Sequence, residues 1–100
     1  MAFRLERGET DWSLVLTGVV DIFDAAALHT AVVDAPERSP AGGVVVRLGG
    51  AQSVDTAITQ VLLALGRALA EIDKPMRLEG TPDAVAARWR SAGLAADLRT

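Results

Sequence analysis

Three valines in succession, Val44-Val45-Val46, open the stretch that leaves this chain the fewest architectures. Gly43-Val44-Val45-Val46-Arg47-Leu48 holds too many consecutive β-branched residues to favour a helix, and it lacks the alternation of a strand wetted on one face. The segment therefore reads as a central strand buried on both faces. Gly49-Gly50-Ala51-Gln52-Ser53 is expected to break it, and Asp55 to open a helix. From there Ile58, Val61, Leu62, Leu65, Leu69 and Ile72 recur at three- and four-residue steps, the strongest helical periodicity in the sequence. Thr59, Gln60, Leu63, Arg67 and Ala70 are expected on the outward face of that helix.

A strand buried on both faces needs neighbours, and the flanking sequence supplies them. Phe3 to Glu6 and Trp12 to Leu16 alternate apolar with polar, with Trp12, Leu14 and Leu16 on one side. The polar run Arg7-Gly8-Glu9-Thr10-Asp11 between them predicts an antiparallel hairpin. Gly18 is expected to end its second strand, and Asp24 to cap a helix over Ala25 to Ala35 whose apolar face is Leu28, Ala31, Val32 and Ala35. Pro36 to Gly43 has the composition of a loop.

Downstream, Lys74-Pro75 stops the long helix and Met76 to Glu79 forms a short strand. Thr81-Pro82-Asp83 starts a helix with Thr81 as its cap and a proline in the first turn. Val85, Trp89 and Ala92 share its inner face, and Gly93-Leu94 has the form of a glycine C-cap followed by an apolar contact. Ala96-Asp97-Leu98-Arg99 reads as a short edge strand or a frayed end. The strands Val44 to Leu48 and Met76 to Glu79, which flank a single helix, require a crossover connection and so run parallel. The fold expected is a single α/β domain over residues 1–100, with a mixed four- to five-stranded sheet and helices packed mainly on one face.

Charge and composition narrow the function classes. The net charge of −3 and pI near 5.0 give no electrostatic reason to approach nucleic acid or an anionic bilayer. The absence of cysteine removes disulfides, thiolate catalysis and Cys-ligated zinc. No apolar run approaches the roughly 20 residues that span a bilayer, and Met1-Ala2-Phe3-Arg4 lacks the apolar core of a signal peptide. The expectation is a cytoplasmic protein with no direct membrane insertion, no metal, no cofactor and no predicted homo-oligomer.

No catalytic set assembles by spacing. His29 reads as a surface histidine, because no Asp, Glu or Cys stands at ligand spacing to orient its ring. Asp21 and Asp24 are explained by helix capping. Gly42-Gly43 and Gly49-Gly50 lack the residues of a phosphate-binding loop. The protein is accordingly expected to be no enzyme. Asp55-Thr56 is less easily absorbed. An Asp cap explains Asp55, whereas Thr56 and the row Thr59, Gln60 and Leu63 beyond it are not needed for capping. The pair reads either as a plain cap or as a contact or modification site, since a phosphate at a helix N-terminus meets free amides and a favourable dipole.

Val44 to Gly50, then Val54-Asp55-Thr56-Ala57 and Gln60-Val61-Leu62-Leu63-Ala64-Leu65, resemble the middle of a STAS domain. Trp12 to Gly18 with Asp21 and Asp24-Ala25 is similar to the family's strand-Gly-x-x-Asp segment, and Gly80, Val85 and Gly93-Leu94 match the spacing of its last strand and helix. This resemblance implies a non-enzymatic interaction module like an anti-sigma factor antagonist. Its partner surface would comprise Asp21, Ser53, Asp55, Thr56, Ala57, Thr59, Gln60 and Leu63, offered to an anti-sigma factor or serine kinase. In such antagonists the phosphoacceptor is the second residue after the motif aspartate, here Ala57, so phosphorylation would fall on Thr56 or Ser53. The resemblance also implies an alternative, the accessory STAS subunit of a lipid-transport ABC complex, with Thr56 at the ATPase contact. Arg47 stands where the family often has aspartate and is expected to reverse the charge near the Asp55 loop. Ile58 stands where it often has glycine and is expected to fill surface that a partner approaches.

Overall fold

The computed structural model describes residues 2–94 and Leu98. Its elements are β1 (Phe3–Arg7), β2 (Trp12–Val20), α1 (Ile22–Val32), α2 (Ala35–Arg38), β3 (Val44–Val54), α3 (Thr56–Glu71), β4 (Met76–Glu79) and α4 (Asp83–Ser91). The strands form one mixed sheet in the order β1-β2-β3-β4. β1 runs antiparallel to β2, while β2 with β3 and β3 with β4 are parallel. The valine strand is thus interior in the sheet as expected, but it is buried on both faces only over Val44 to Val46, since Arg47 on the face away from the helices is exposed. Four strands are present among the described residues; Ala96, Asp97 and Arg99 of the expected terminal segment lie outside them, and Leu98 is helical and buried.

The core lies between one sheet face and the helices. Trp12, Leu14, Leu16 and Val20 of β2 join Val44, Val46 and Leu48 of β3 in a cluster with Leu28 and Val32 of α1 and Ile58, Leu62, Leu65 and Leu69 of α3. The other face carries Val45 between its register partners Ser13 and Arg77, and the cross-strand ion pair Arg47–Glu79. Two apolar positions of the expected helix faces lie outside the core: Ile72 and Ala92 are exposed and follow their helices as C-caps.

Two strands run further than composition suggests. β2 continues through Gly18, which adopts φ +68 at a shift in the β2/β3 register, so the glycine bends the strand instead of ending it. β3 runs straight through Gly49 to Ser53. It spans 11 residues against nine in β2, and two register shifts, between Val15 and Thr17 and between Gly18 and Val19, accommodate the excess. A bulged strand hydrogen-bonded to a neighbour tolerates glycine pairs that would signal a loop in isolation.

Helix starts also differ from expectation. α1 begins at Ile22 because Asp21 is its cap, accepting from Phe23 N at 3.0 Å, while the Asp24 carboxylate accepts from Asp21 N at 3.1 Å. Asp24 is therefore the reciprocal arm of a capping box and not the cap. The helix ends at Val32, and Ala35 and Pro36, expected in a helix tail and a loop, form the first turn of α2. α4 starts after Pro82, with no side-chain cap from Thr81. It ends as expected, with Gly93 at φ +77 and Leu94 N donating to Trp89 O at 2.8 Å.

Candidate functional site

The parallel pair β2 and β3 ends at a single edge of the sheet, and both strands turn there directly into helices. Val19 pairs with Ser53 and Val20 with Val54, so the next residues, Asp21 and Asp55, emerge side by side. Asp55 N donates to Val20 O at 3.2 Å, tying the second turn to the first. Each aspartate caps its own helix, and the Asp55 carboxylate accepts from Ile58 N at 3.1 Å. Two helix N-termini therefore stand together, each with its free amides partly satisfied by an internal carboxylate. Thr56, the first residue of α3, is exposed; Ser53, Asp55 and Ala57 are half-buried, as is Asp21.

A hydrogen-bond relay holds this edge from behind. Thr59 Oγ1 donates to Asp55 O at 2.9 Å and accepts from Trp89 Nε1 at 3.0 Å. The buried indole of α4 is thereby connected to the first turn of α3. The consequence contradicts the expected outward row. Thr59 is 4% exposed and Leu63 is 5% exposed, whereas Gln60, Arg67 and Ala70 are exposed as expected. The face of α3 bearing Thr59 and Leu63 is covered, at Thr59 by the Trp89 indole of α4, a neighbour that a helical wheel drawn for α3 alone does not contain.

The two substitutions relative to the family pattern act differently from expectation as well. Ile58 is fully buried in the core and leaves the surface beside Thr56 open. Arg47 Nη1 donates to Glu79 Oε2 at 2.6 Å across the β3/β4 pair, so its charge is engaged on the sheet and not with Asp55.

Sequence reasoning missed the apolar residues at this edge. Val19 is 56% exposed, Ile22 65% and Phe23 91%, and they flank Asp21 on both sides. Their identity suggested burial, and only the tertiary structure shows that the core closes beneath Val20 and Leu28 without them. His29 is exposed on α1 and borders a shallow, largely apolar groove with Val33, Val61, Ala64 and Ala68. Among the described residues no cluster of three or more His, Asp or Glu side chains could hold a metal ion, and no helix is long and apolar enough to cross a membrane.

The comparisons with known proteins bear on the fold that carries this edge. The anti-sigma factor antagonist SpoIIAA in its unphosphorylated form superposes with a TM-score of 0.83 at 16% identity, over 97% of this chain and 85% of SpoIIAA. The Bacillus cell fate determinant SpoIIAA in its phosphorylated form gives a TM-score of 0.79 at 15% identity, over 97% and 88%. Mglu is similar at a TM-score of 0.65 and 24% identity over 84% of this chain, which spans 21% of the length of Mglu. No curated protein matches the sequence. The α/β fold, with a four-stranded mixed sheet, is that of SpoIIAA. The family model described as "Mlab, STAS domain" matches residues 3–100, and the chain belongs to the STAS domain family.

Proposed function

We propose that this STAS domain is a non-enzymatic docking module that binds a protein partner through the edge where β2 and β3 deliver α1 and α3. The surface comprises Asp21, Ser53, Asp55, Thr56, Ala57 and Gln60. One observation carries the reading: two adjacent strands present two capped helix N-termini at one uncovered edge, with Thr56 and Gln60 exposed beside them. Thr59 and Leu63 leave the contact set because they are buried, and Thr59, bonded to Trp89 of α4 and to Asp55 O, serves instead to hold the edge in place.

The partner favoured by similarity to an anti-sigma factor antagonist is an ATP-binding anti-sigma factor or serine kinase. Ala57 has no hydroxyl, so a phosphate at this edge would be carried by Thr56, which is exposed, or by Ser53, which is half-buried. A second reading makes the chain the accessory subunit of a lipid-transport ABC complex, with Thr56 touching the ATPase. The exposed hydroxyl at the first position of α3, next to a residue unable to accept phosphate, favours it.

Capture of the partner from the source cells with the tagged chain distinguishes the two by the partner's identity. Binding of that purified partner then tests the edge. Thr56→Glu and Gln60→Arg should each weaken binding by at least about tenfold while leaving the circular dichroism spectrum unchanged, the size expected for a central contact. Unchanged affinity in both variants would remove this edge from consideration.

A further inference from the structure

The distribution of aromatic side chains at the edge points to the chemistry of the partner. Phe3, Trp12 and Trp89 are buried, whereas Phe23 is 91% exposed, with exposed Ile22 directly before it and exposed Val19 near the end of β2, two residues before the Asp21 cap. Packing does not account for an aromatic left in water next to two further exposed aliphatic residues, and such clusters mark contact surfaces. The charge around it is equally uneven. The four ion pairs among the described residues use Glu6, Asp34, Glu79 and Asp11, and none involves Asp21, Asp24 or Asp55. Asp21 and Asp24 are held in one capping box, and Asp55 caps the neighbouring helix in a turn tied to the first by the Asp55 N to Val20 O bond.

We infer that Phe23, with Ile22 and Val19, is a hydrophobic anchor for a protein partner that presents an apolar socket rimmed by lysine or arginine. This deepens the docking reading above and rests on it. Charge complementarity selects this occupant. A second copy of the chain would set three carboxylates against three of the same sign, and an anionic membrane surface would oppose them as well. A basic rim would meet Asp21, Asp24 and Asp55 as the apolar socket covers Phe23, the arrangement in which a central aromatic dominates binding and charges set the rate of encounter.

The test replaces Phe23, in the full chain, with the photo-crosslinking analogue benzoylphenylalanine, and Gln60 likewise in a separate variant, followed by irradiation in the source cells and peptide mapping. The result expected is a crosslink from position 23 to a different protein, at a segment combining apolar residues with lysine or arginine. With that protein purified, Phe23→Ser should weaken binding by about 30-fold or more, Val33→Ser should leave it within about twofold, and added salt should slow association. Val33 serves as the control because it is 61% exposed at the C-cap of α1, outside this edge. A crosslink from position 60 without one from position 23 would overturn the anchor and leave the docking reading standing. Silence at both positions would remove both. A crosslink from position 23 to a second copy, to lipid, or to a segment lacking basic residues would overturn the inference outright.

Discussion

At the scale of single residues, the edge is fixed by short-range hydrogen bonds whose contributions can be separated. Asp55 satisfies the Ile58 amide, so Asp55→Ala is expected to lower stability by about 1 kcal/mol and Asp55→Asn to recover most of it, measured by urea denaturation. The Thr59 hydroxyl receives from Trp89 while donating to Asp55 O. Trp89→Phe and Thr59→Val should therefore be non-additive: Thr59→Val leaves the buried Trp89 Nε1 without an acceptor, a cost absent once the indole is gone, whereas Trp89→Phe leaves Thr59 Oγ1 its bond to Asp55 O. A double-mutant cycle should return a coupling on the order of 0.5 to 1.5 kcal/mol; a coupling near zero would mean that the relay does not hold the turn. The Asp55 cap was legible in the sequence because capping involves residues three apart. The Asp21 cap was not, since Asp-x-x-Asp offers two candidates and the geometry of the strand leading in selects the first. The exposure of Phe23 could not be read locally either, because it depends on where the core closes.

At the scale of elements, α3 is shaped by two neighbours, and its sequence announces only one of them. Its heptad-like apolar positions identified the face against the sheet, where Ile58, Leu62, Leu65 and Leu69 are buried. A second face is marked by a threonine and a leucine, types common on exposed helices, yet both are buried in the fold, where Thr59 receives the Trp89 indole of α4. Leu63→Ala is consequently expected to cost about 2 to 4 kcal/mol of unfolding free energy, and Gln60→Ala less than about 0.5 kcal/mol, despite their adjacency on the predicted outward row. The C-terminus of α3 offers a gain. Asp73 sits at φ +59 in a left-handed position, with Lys74 N donating to Leu69 O at 2.9 Å. Glycine reaches that conformation without a Cβ clash, so Asp73→Gly should stabilise the fold by about 0.5 to 1 kcal/mol, seen as a raised urea midpoint with an unchanged slope. Gly43, by contrast, has no substitute at φ +72, since a Cβ there would lie 1.9 Å from Pro75 O where β3 enters beside the end of the α3–β4 connection.

At the scale of the whole molecule, the sheet divides the protein into independent parts. The antiparallel hairpin, the parallel β3/β4 pair and the interior place of β3 followed from the sequence because short hairpin and single-helix connections leave few alternatives, whereas the full order β1-β2-β3-β4 came from the structure. The separation of charges did not, because it depends on which side chains meet across strands distant in sequence. Arg47 and Glu79 pair on the sheet face away from the helical core, with side chains 48% and 51% exposed, so their attraction is screened and contributes at most about 1 kcal/mol. Arg47→Asp, which installs the aspartate seen often in the family, would place two negative charges opposite one another on β3 and β4. The expected loss is about 0.2 to 1 kcal/mol at low salt. Adding Glu79→Arg should restore the pair with its polarity reversed. At 1 M salt, where the screening length falls to about 3 Å, the differences among the three proteins should largely vanish. None of these changes touches the Asp21, Phe23 and Thr56 edge, so affinity for the purified partner should stay within about twofold throughout. A larger loss of binding in Arg47→Asp, recovered by Glu79→Arg, would instead mean that the charged sheet face is part of the contact, and the division of the molecule into a docking edge and a solvated face would have to be abandoned.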